Sequence, residues 1–136
     1  SHFFLDPGFP VDRVEALYAK WVDTALDRQQ TFVVIEHEGA ICGVFIYEMD
    51  DRTTRFGRKY AVWKLADVDS RVRGKGLGMR LFHATVMSAA DQGADAIDSS
   101  LAVHNVASQN IHIRLGFRLI TSVYTFHRWF EPKEAR

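Results

Sequence analysis

The chain has 136 residues, which is the size of one compact domain and too short for two ordinary ones. Its 17 Lys and Arg residues balance its 17 Asp and Glu residues, so no overall field attracts nucleic acid or an anionic membrane. With 47% hydrophobic residues and 3 prolines, the composition is that of a folded globule and excludes disordered or collagen-like chains.

The cysteine and histidine content excludes several kinds of site. The single cysteine, Cys42, rules out an intramolecular disulfide and a multi-cysteine zinc site, and we expect it to be a buried strand residue. The histidines show no metal-binding spacing, so no metal is predicted. No apolar run approaches the roughly 18 to 20 residues of a membrane span, and the start lacks a signal-peptide pattern. We expect a cytoplasmic domain over residues 1–136, and leave open a segment upstream of Ser1.

The first half of the chain predicts one helix and three strands. Apolar residues recur every three to four positions from Val11 to Asp27, which indicates a one-sided helix. β-Branched and aromatic residues predict strands at Thr31–His37 and Ile41–Met49, joined by a hairpin at Glu38-Gly39-Ala40. A basic loop follows, with Arg52 and Arg55 either solvated or meeting ligand phosphates, and strand character returns at Tyr60–Asp69.

The second half predicts an α/β crossover. A helix is expected at Gly76–Gln92 with Gly93 ending it, then a strand at Ala94–Val103. A short helix follows at Asn105–Leu115, capped by Asn105 and stopped by Gly116, and Phe117–Phe130 is expected to form a final strand pair. A strand that leads through glycines into a helix and then a second strand predicts parallel pairing, with a ligand at the mouth of the unit.

The stretch Arg73-Gly74-Lys75-Gly76-Leu77-Gly78 is the most informative in the chain. Three glycines in five residues are expected where main chain adopts positive φ or closely approaches a ligand. The free N–H groups of a first helical turn, with Arg73 and Lys75 beside them, predict a phosphate site. A P-loop is excluded because Gly76 follows Gly74-Lys75, and a dinucleotide fingerprint is excluded because Met79 stands where glycine is needed.

Two spaced motifs resemble the GCN5-related N-acetyltransferase (GNAT) family. The family's Gln/Arg-x-x-Gly-x-Gly/Ala motif is matched by Arg73, Gly76 and Gly78. Its Asn-x-x-Ala-x-x-x-Tyr-x-x-x-Gly-Phe motif is matched at Asn105, Gly116 and Phe117, with Ser108 in place of Ala and His112 in place of Tyr. The tail at 122–130, together with the start of the chain, is similar in particular to sugar-nucleotide acetyltransferases of the TDP-fucosamine type.

This resemblance implies a GNAT fold of the α/β (α+β) class. Its mixed central sheet, flanked by helices, splays between the fourth and fifth strands of the family, here Tyr60–Asp69 and Ala94–Val103. Acetyl-CoA, a cosubstrate, is expected in the gap. The residues implied in binding it are Val68, Arg73, Gly74, Lys75, Gly76, Leu77, Gly78, Met79, Asn105 and Ser108.

The resemblance also implies transfer of an acetyl group to the primary amine of a small molecule by direct attack in a ternary complex. His112, in place of the family's tyrosine, is the candidate that protonates the departing thiolate, or else a helix residue without chemical duty. Asp67 is the nearest carboxylate for a general base, with ordered water as the alternative. An amino sugar, free or nucleotide-linked, is the first expected acceptor. The alternatives are an aminoglycoside, a polyamine, an amino acid, a peptide N-terminus, or a non-catalytic acyl-CoA-binding domain. A homodimer remains open.

Overall fold

The computed structural model describes residues 2–51 and 57–130. Its elements are α1 (Val11–Asp27), β1 (Thr31–His37), β2 (Ala40–Asp51), β3 (Lys59–Val68), α2 (Leu77–Asp91), β4 (Ala96–Asp98) and α3 (Val106–Arg114). Two short 3-10 turns lie at His2–Leu5 and Ser70–Val72. The predictions for α1, β1, β2, β3, α2 and α3 are confirmed, and the ends of these elements lie within two residues of the expected positions. Arg52 and Arg55, predicted in a basic loop, lie outside the described residues.

The sheet is mixed and has the order β1-β2-β3-β4. β1 and β2 form an antiparallel hairpin, and both of its turn residues, Glu38 and Gly39, have positive φ, as a two-residue type I′ turn requires. β2 and β3 are also antiparallel, whereas β3 and β4 are parallel and are joined through α2. The predicted crossover is therefore confirmed.

The core lies between α2 and one face of the central strands. Phe45 and Tyr47 of β2 alternate along the strand and face the same buried cluster as Trp63 of β3 and Leu81 and Phe82 of α2. The hydroxyl of the fully buried Tyr47 lies 2.7 Å from Ser88 Oγ and 2.7 Å from Gln92 Nε2. A buried phenol needs such partners. Cys42 is buried on β2, as predicted.

Two strand predictions were wrong. The strand expected at Ala94–Val103 is reduced to Ala96–Asp98, because its pairing with β3 stops where the two strands separate. The separation itself lies between the two strands for which it was predicted; they are the third and fourth strands here because the described residues hold no strand before β1. No described residue of the predicted strand pair at Phe117–Phe130 is in a strand. High β-propensity produces a strand only when an edge is available for pairing.

Side-chain contacts attach the tail at 117–130 to the start of the chain. Asp6 accepts a hydrogen bond from Trp129 Nε1 at 3.0 Å and pairs with His127 Nδ1. Gly8 lies against the Trp129 ring, where an added Cβ would come within 2.3 Å of a ring carbon. The large apolar residues in the tail before these contacts are 84–89% exposed: Leu119, Ile120, Val123, Tyr124 and Phe126. No described helix is long and apolar enough to span a membrane.

Candidate active site

A cleft opens where β3 and β4 separate. The two strands pair from Tyr60 with Ala96 to Val62 with Asp98, and their described pairing ends there. In the next residues β3 has a bulge against β2. Trp63 pairs with Tyr47 and Leu65 pairs with Ile46, so Lys64 is the extra residue. A bulge bends its strand and strengthens the local twist. The resulting cleft has a volume of about 420 Å³.

The cleft has an apolar floor and a polar side. Residues 63–66 of β3 form one wall and residues 99–102 the other, with Phe45 and Phe82 between them. Asn105, Ser108 and His112 contribute from the start and the face of α3. Trp63 is 7% exposed and its Nε1–H has no partner among the described residues. Trp63, a residue of the cleft wall, therefore holds an unsatisfied donor, and leaving a buried donor unpaired costs about 1–3 kcal/mol.

His112 lies behind the polar side and is held at both ring nitrogens. Nδ1 is 2.7 Å from the Ser108 carbonyl oxygen, which can only accept, so Nδ1 carries a proton. Nε2 is 2.8 Å from Ser99 Oγ, and in the neutral imidazole it accepts the Ser99 hydroxyl proton. The imidazole is 7% exposed and contacts Trp63, Phe82 and Phe117 at ring-centroid distances of 4.9–5.6 Å. Its rotamer and its tautomer are therefore both fixed.

Sequence reasoning missed Ser99. This half-buried residue directly follows β4 and lines the cleft beside Ser100. Its contact with His112 spans 13 positions in the chain. The available signal was its position one residue beyond the parallel strand, at the edge where the cleft was expected.

The glycine turn leaves the end of β3 through a capped 3-10 turn. Asp69 accepts from the Arg71 main-chain N–H at 2.8 Å and from the Arg71 guanidinium. These hydrogen bonds to Arg71 lower the pKa of Asp69 to about 2. Gly74 and Gly76 then take positive φ of 82° and 75°, which confirms the reason predicted for their presence. A Cβ at either position would meet nothing within 4 Å, so the turn exposes its main chain on an open surface.

Helix α2 begins at this turn. Gly76 is its N-cap, and the N–H groups of Leu77, Gly78 and Met79 have no carbonyl one turn earlier to bind. Leu77 is 4% exposed and anchors the helix start in the core, while a Cβ added at Gly78 would lie 3.8 Å from the Ile111 side chain of α3. The start of α2 therefore faces the helix that lines the cleft.

The charged groups of the turn lie at its surface. Arg73 and Lys75 are exposed, and Lys75 Nζ lies 3.3 Å from Nε2 of His37 at the end of β1. The predicted cationic residues thus accompany the free N–H groups, and His37 joins them from the neighbouring hairpin.

The remaining predicted residues divide into two groups. Asn105 caps α3 by accepting from the Ser108 N–H at 3.1 Å, as predicted, and both residues line the cleft. Val68 ends β3 opposite Gly43, between the cleft and the glycine turn in the chain. Asp67 is exposed and is not among the described residues that line the cleft. Within 2–51 and 57–130 no group of His, Cys, Asp and Glu residues is placed to hold a metal ion.

A parallel strand pair that separates beside a glycine turn and a free helix N-terminus is the arrangement of an α/β protein that binds an anionic ligand at a sheet edge. The sequence profile of the acetyltransferase (GNAT) family matches residues 3–117. The chain belongs to this family.

One curated relative aligns with the whole of this chain. It is the spore coat polysaccharide biosynthesis protein SpsD of Bacillus subtilis (strain 168), 24% identical over 138 residues. The match covers 100% of this chain and 45% of that protein, so the chain spans less than half the relative's length.

Solved structures share the fold at lower identity. A ribosomal-protein-alanine N-acetyltransferase from Brucella melitensis biovar Abortus 2308 matches with a TM-score of 0.62 and 15% identity, over 75% of this chain and 73% of that one. A Trypanosoma brucei acetyltransferase matches with a TM-score of 0.64 and 22% identity, over 81% of this chain and 77% of that one. A transcriptional regulator from Bacillus halodurans C-125 matches with a TM-score of 0.66 and 20% identity, over 90% of this chain and 79% of that one. The expected GNAT fold is confirmed.

Proposed function

We propose that the chain is an acetyl-CoA-dependent N-acetyltransferase that transfers the acetyl group to the primary amine of a small molecule. The observation that carries this proposal is the position of the cleft. It lies between separating parallel strands, and the glycine turn with its free N–H groups directly follows the strand that forms one wall.

The residues present fit the two ends of acetyl-CoA. The turn supplies the free N–H groups of Leu77, Gly78 and Met79, an exposed Lys75 and an open surface over Gly76 for the phosphates. The cleft supplies apolar walls and a polar side for the pantetheine arm and the thioester. Acetyl-CoA brings an acetyl group activated as a thioester, whose leaving group is a thiolate.

The reaction needs three contributions from the chain. The acceptor amine must attack as the neutral base, the oxyanion needs a hydrogen-bond donor, and the departing thiolate needs a proton. We assign the oxyanion to main-chain N–H groups at the end of β3 near Val68. We assign the proton to the polar side of the cleft, where His112 stands. Asp67 keeps its predicted role as a base only if it acts through water, because it is exposed away from the cleft lining.

An amino sugar, free or linked to a nucleotide, is the acceptor that we propose to test first. The relative from Bacillus subtilis is described as a polysaccharide biosynthesis protein, which favours a sugar over a protein acceptor. The balanced net charge weakly disfavours a polycationic acceptor, because such acceptors usually require an acidic pocket.

The test is release of CoA thiol from acetyl-CoA in the presence of a panel of amines. The panel contains a TDP-linked 4-amino sugar, a UDP-linked amino sugar, an aminoglycoside, a polyamine and a peptide with a free N-terminus. We expect turnover with an amino-sugar nucleotide, and a loss of about ten- to a hundredfold in His112→Phe with acetyl-CoA affinity retained. Turnover only with another amine would refute the sugar acceptor. Tight acetyl-CoA binding without turnover on any amine would indicate a non-catalytic acyl-CoA-binding domain.

A further inference from the structure

We propose that Ser99 is a catalytic residue that relays protons between His112 and the reacting atoms. This inference rests on the proposed acetyltransferase function, and it assigns a role to a residue outside both sequence motifs.

The first step of the argument is access to the imidazole. His112 is 7% exposed, and its Nδ1 is already used by the Ser108 carbonyl at 2.7 Å. Its other nitrogen, Nε2, faces Ser99 Oγ at 2.8 Å. A proton that enters or leaves Nε2 therefore passes through the Ser99 hydroxyl, which lines the cleft.

The second step is that a hydroxyl can transfer a proton in both directions. Serine has one donor and two acceptor lone pairs, so Oγ can take a proton from one side while it gives one to the other. The Ser108 carbonyl holds Nδ1–H in place throughout, so the tautomer does not change and the imidazolium that forms is hydrogen-bonded at both nitrogens.

Once the amine is neutral, the proton balance closes within Ser99 and His112. Attack of the neutral amine on the thioester carbon forms the C–N bond and leaves a positively charged nitrogen and an oxyanion. That nitrogen gives a proton to Ser99 Oγ as the Ser99 hydroxyl proton moves to His112 Nε2. When the oxyanion collapses, the C–S bond breaks and its electron pair leaves on sulfur. Ser99 then protonates the sulfur and recovers its proton from His112, so that amide and thiol are the only products.

This relay accounts for two features of the site together. From the neutral amine onward it needs no carboxylate to take the second proton, which agrees with the exposure of Asp67 outside the cleft lining. It also allows a largely buried imidazole to serve where the family motif has a tyrosine, because the Nε2 atom of His112 is hydrogen-bonded to the Ser99 hydroxyl.

The test compares Ser99→Ala with Ser100→Ala, a matched change at the adjacent cleft-lining serine. CoA is bound to each protein, and its thiol is titrated through the ultraviolet absorbance of the thiolate, with desulfo-CoA as the blank. A hydroxyl that donates to the sulfur stabilises the thiolate, so Ser99→Ala should raise the pKa of the bound thiol by about one unit relative to the unaltered protein. Ser100→Ala should leave it unchanged.

The kinetic arm uses the amine that gives turnover in the thiol-release panel. Ser99→Ala should lower kcat about ten- to a hundredfold with little change in the KM for acetyl-CoA, and Ser99→Thr should recover part of the loss. Bound CoA with an unchanged thiol titration in Ser99→Ala would overturn the relay alone, and so would an acetyl group trapped on Ser99. Failure of the unaltered protein to bind CoA would overturn the proposed function and the relay together.

Discussion

Replacing Gly76 by alanine separates the phosphate-binding role of the glycine turn from its role in the fold. Gly76 has φ of 75°, a conformation that costs a residue with a Cβ about 1–2 kcal/mol. A Cβ there meets nothing within 4 Å, so no clash adds to this cost. For a domain of 136 residues we expect Tm to fall by about 3 to 8 °C, with the fold retained.

Gly93 provides the matched control. It has φ of 84° and equally open space around a Cβ, but it follows the opposite end of α2. The 15 residues of that helix place the two glycines about 22 Å apart. Gly93→Ala should therefore lose as much stability as Gly76→Ala, and for the same reason.

Only Gly76→Ala should affect ligand binding, because its methyl group would stand where phosphate approaches the free N–H groups of α2. We expect calorimetry to show at least about tenfold weaker acetyl-CoA binding in Gly76→Ala and unchanged binding in Gly93→Ala. Equal affinities in the two variants would refute the assignment of the turn to phosphate binding. A comparable loss in both would mean that stability, and not contact, determines the affinity.

Three further predictions concern the supports of the site. The pKa of Asp69 is lowered to about 2, so its carboxylate should hold the 3-10 turn above about pH 4 and release it as the pH falls toward 2. Amide exchange in the turn should show this acid-induced step, and the Asp69→Asn variant should lack it. Asn105→Ala removes the cap of α3 and should cost about 1 kcal/mol in urea unfolding, whereas an unchanged midpoint would show that the cap contributes nothing. Asp6→Ala should free Trp129 from its hydrogen bond and red-shift the tryptophan emission, and an unaltered spectrum would contradict the contact between the chain start and the tail.

The features predictable from sequence are those that short segments determine. The left-handed glycines of the turn, the Asn105 cap and the Gly116 helix stop each depend on a few neighbouring residues, and all are found. The crossover of β3, α2 and β4 was predictable for the same reason, since two strand patterns flank one helix pattern.

The features that failed depend on distant parts of the chain. Residues 117–130 have strong strand character, but the partner edge that would make them a strand is not encoded in the segment itself. Ser99 escaped notice because its importance comes from His112, which the fold brings to it. Asp67, the nearest carboxylate in sequence, lies outside the cleft lining in the fold, and its role as a base stays a prediction.

The most direct test of the account is a titration of the protein with acetyl-CoA, followed by amide shifts in NMR spectra, with ATP as the comparison ligand. We predict one-site binding of acetyl-CoA with the largest shifts at residues 73–79 and at Ser99, Asn105 and Ser108 around the cleft. ATP should bind more weakly, and it should shift the amide signals of the glycine turn but not those of the cleft. Absence of acetyl-CoA binding by the folded protein, or shifts confined to the groove between β1 and α2 near Val34 and His83, would contradict the site described here.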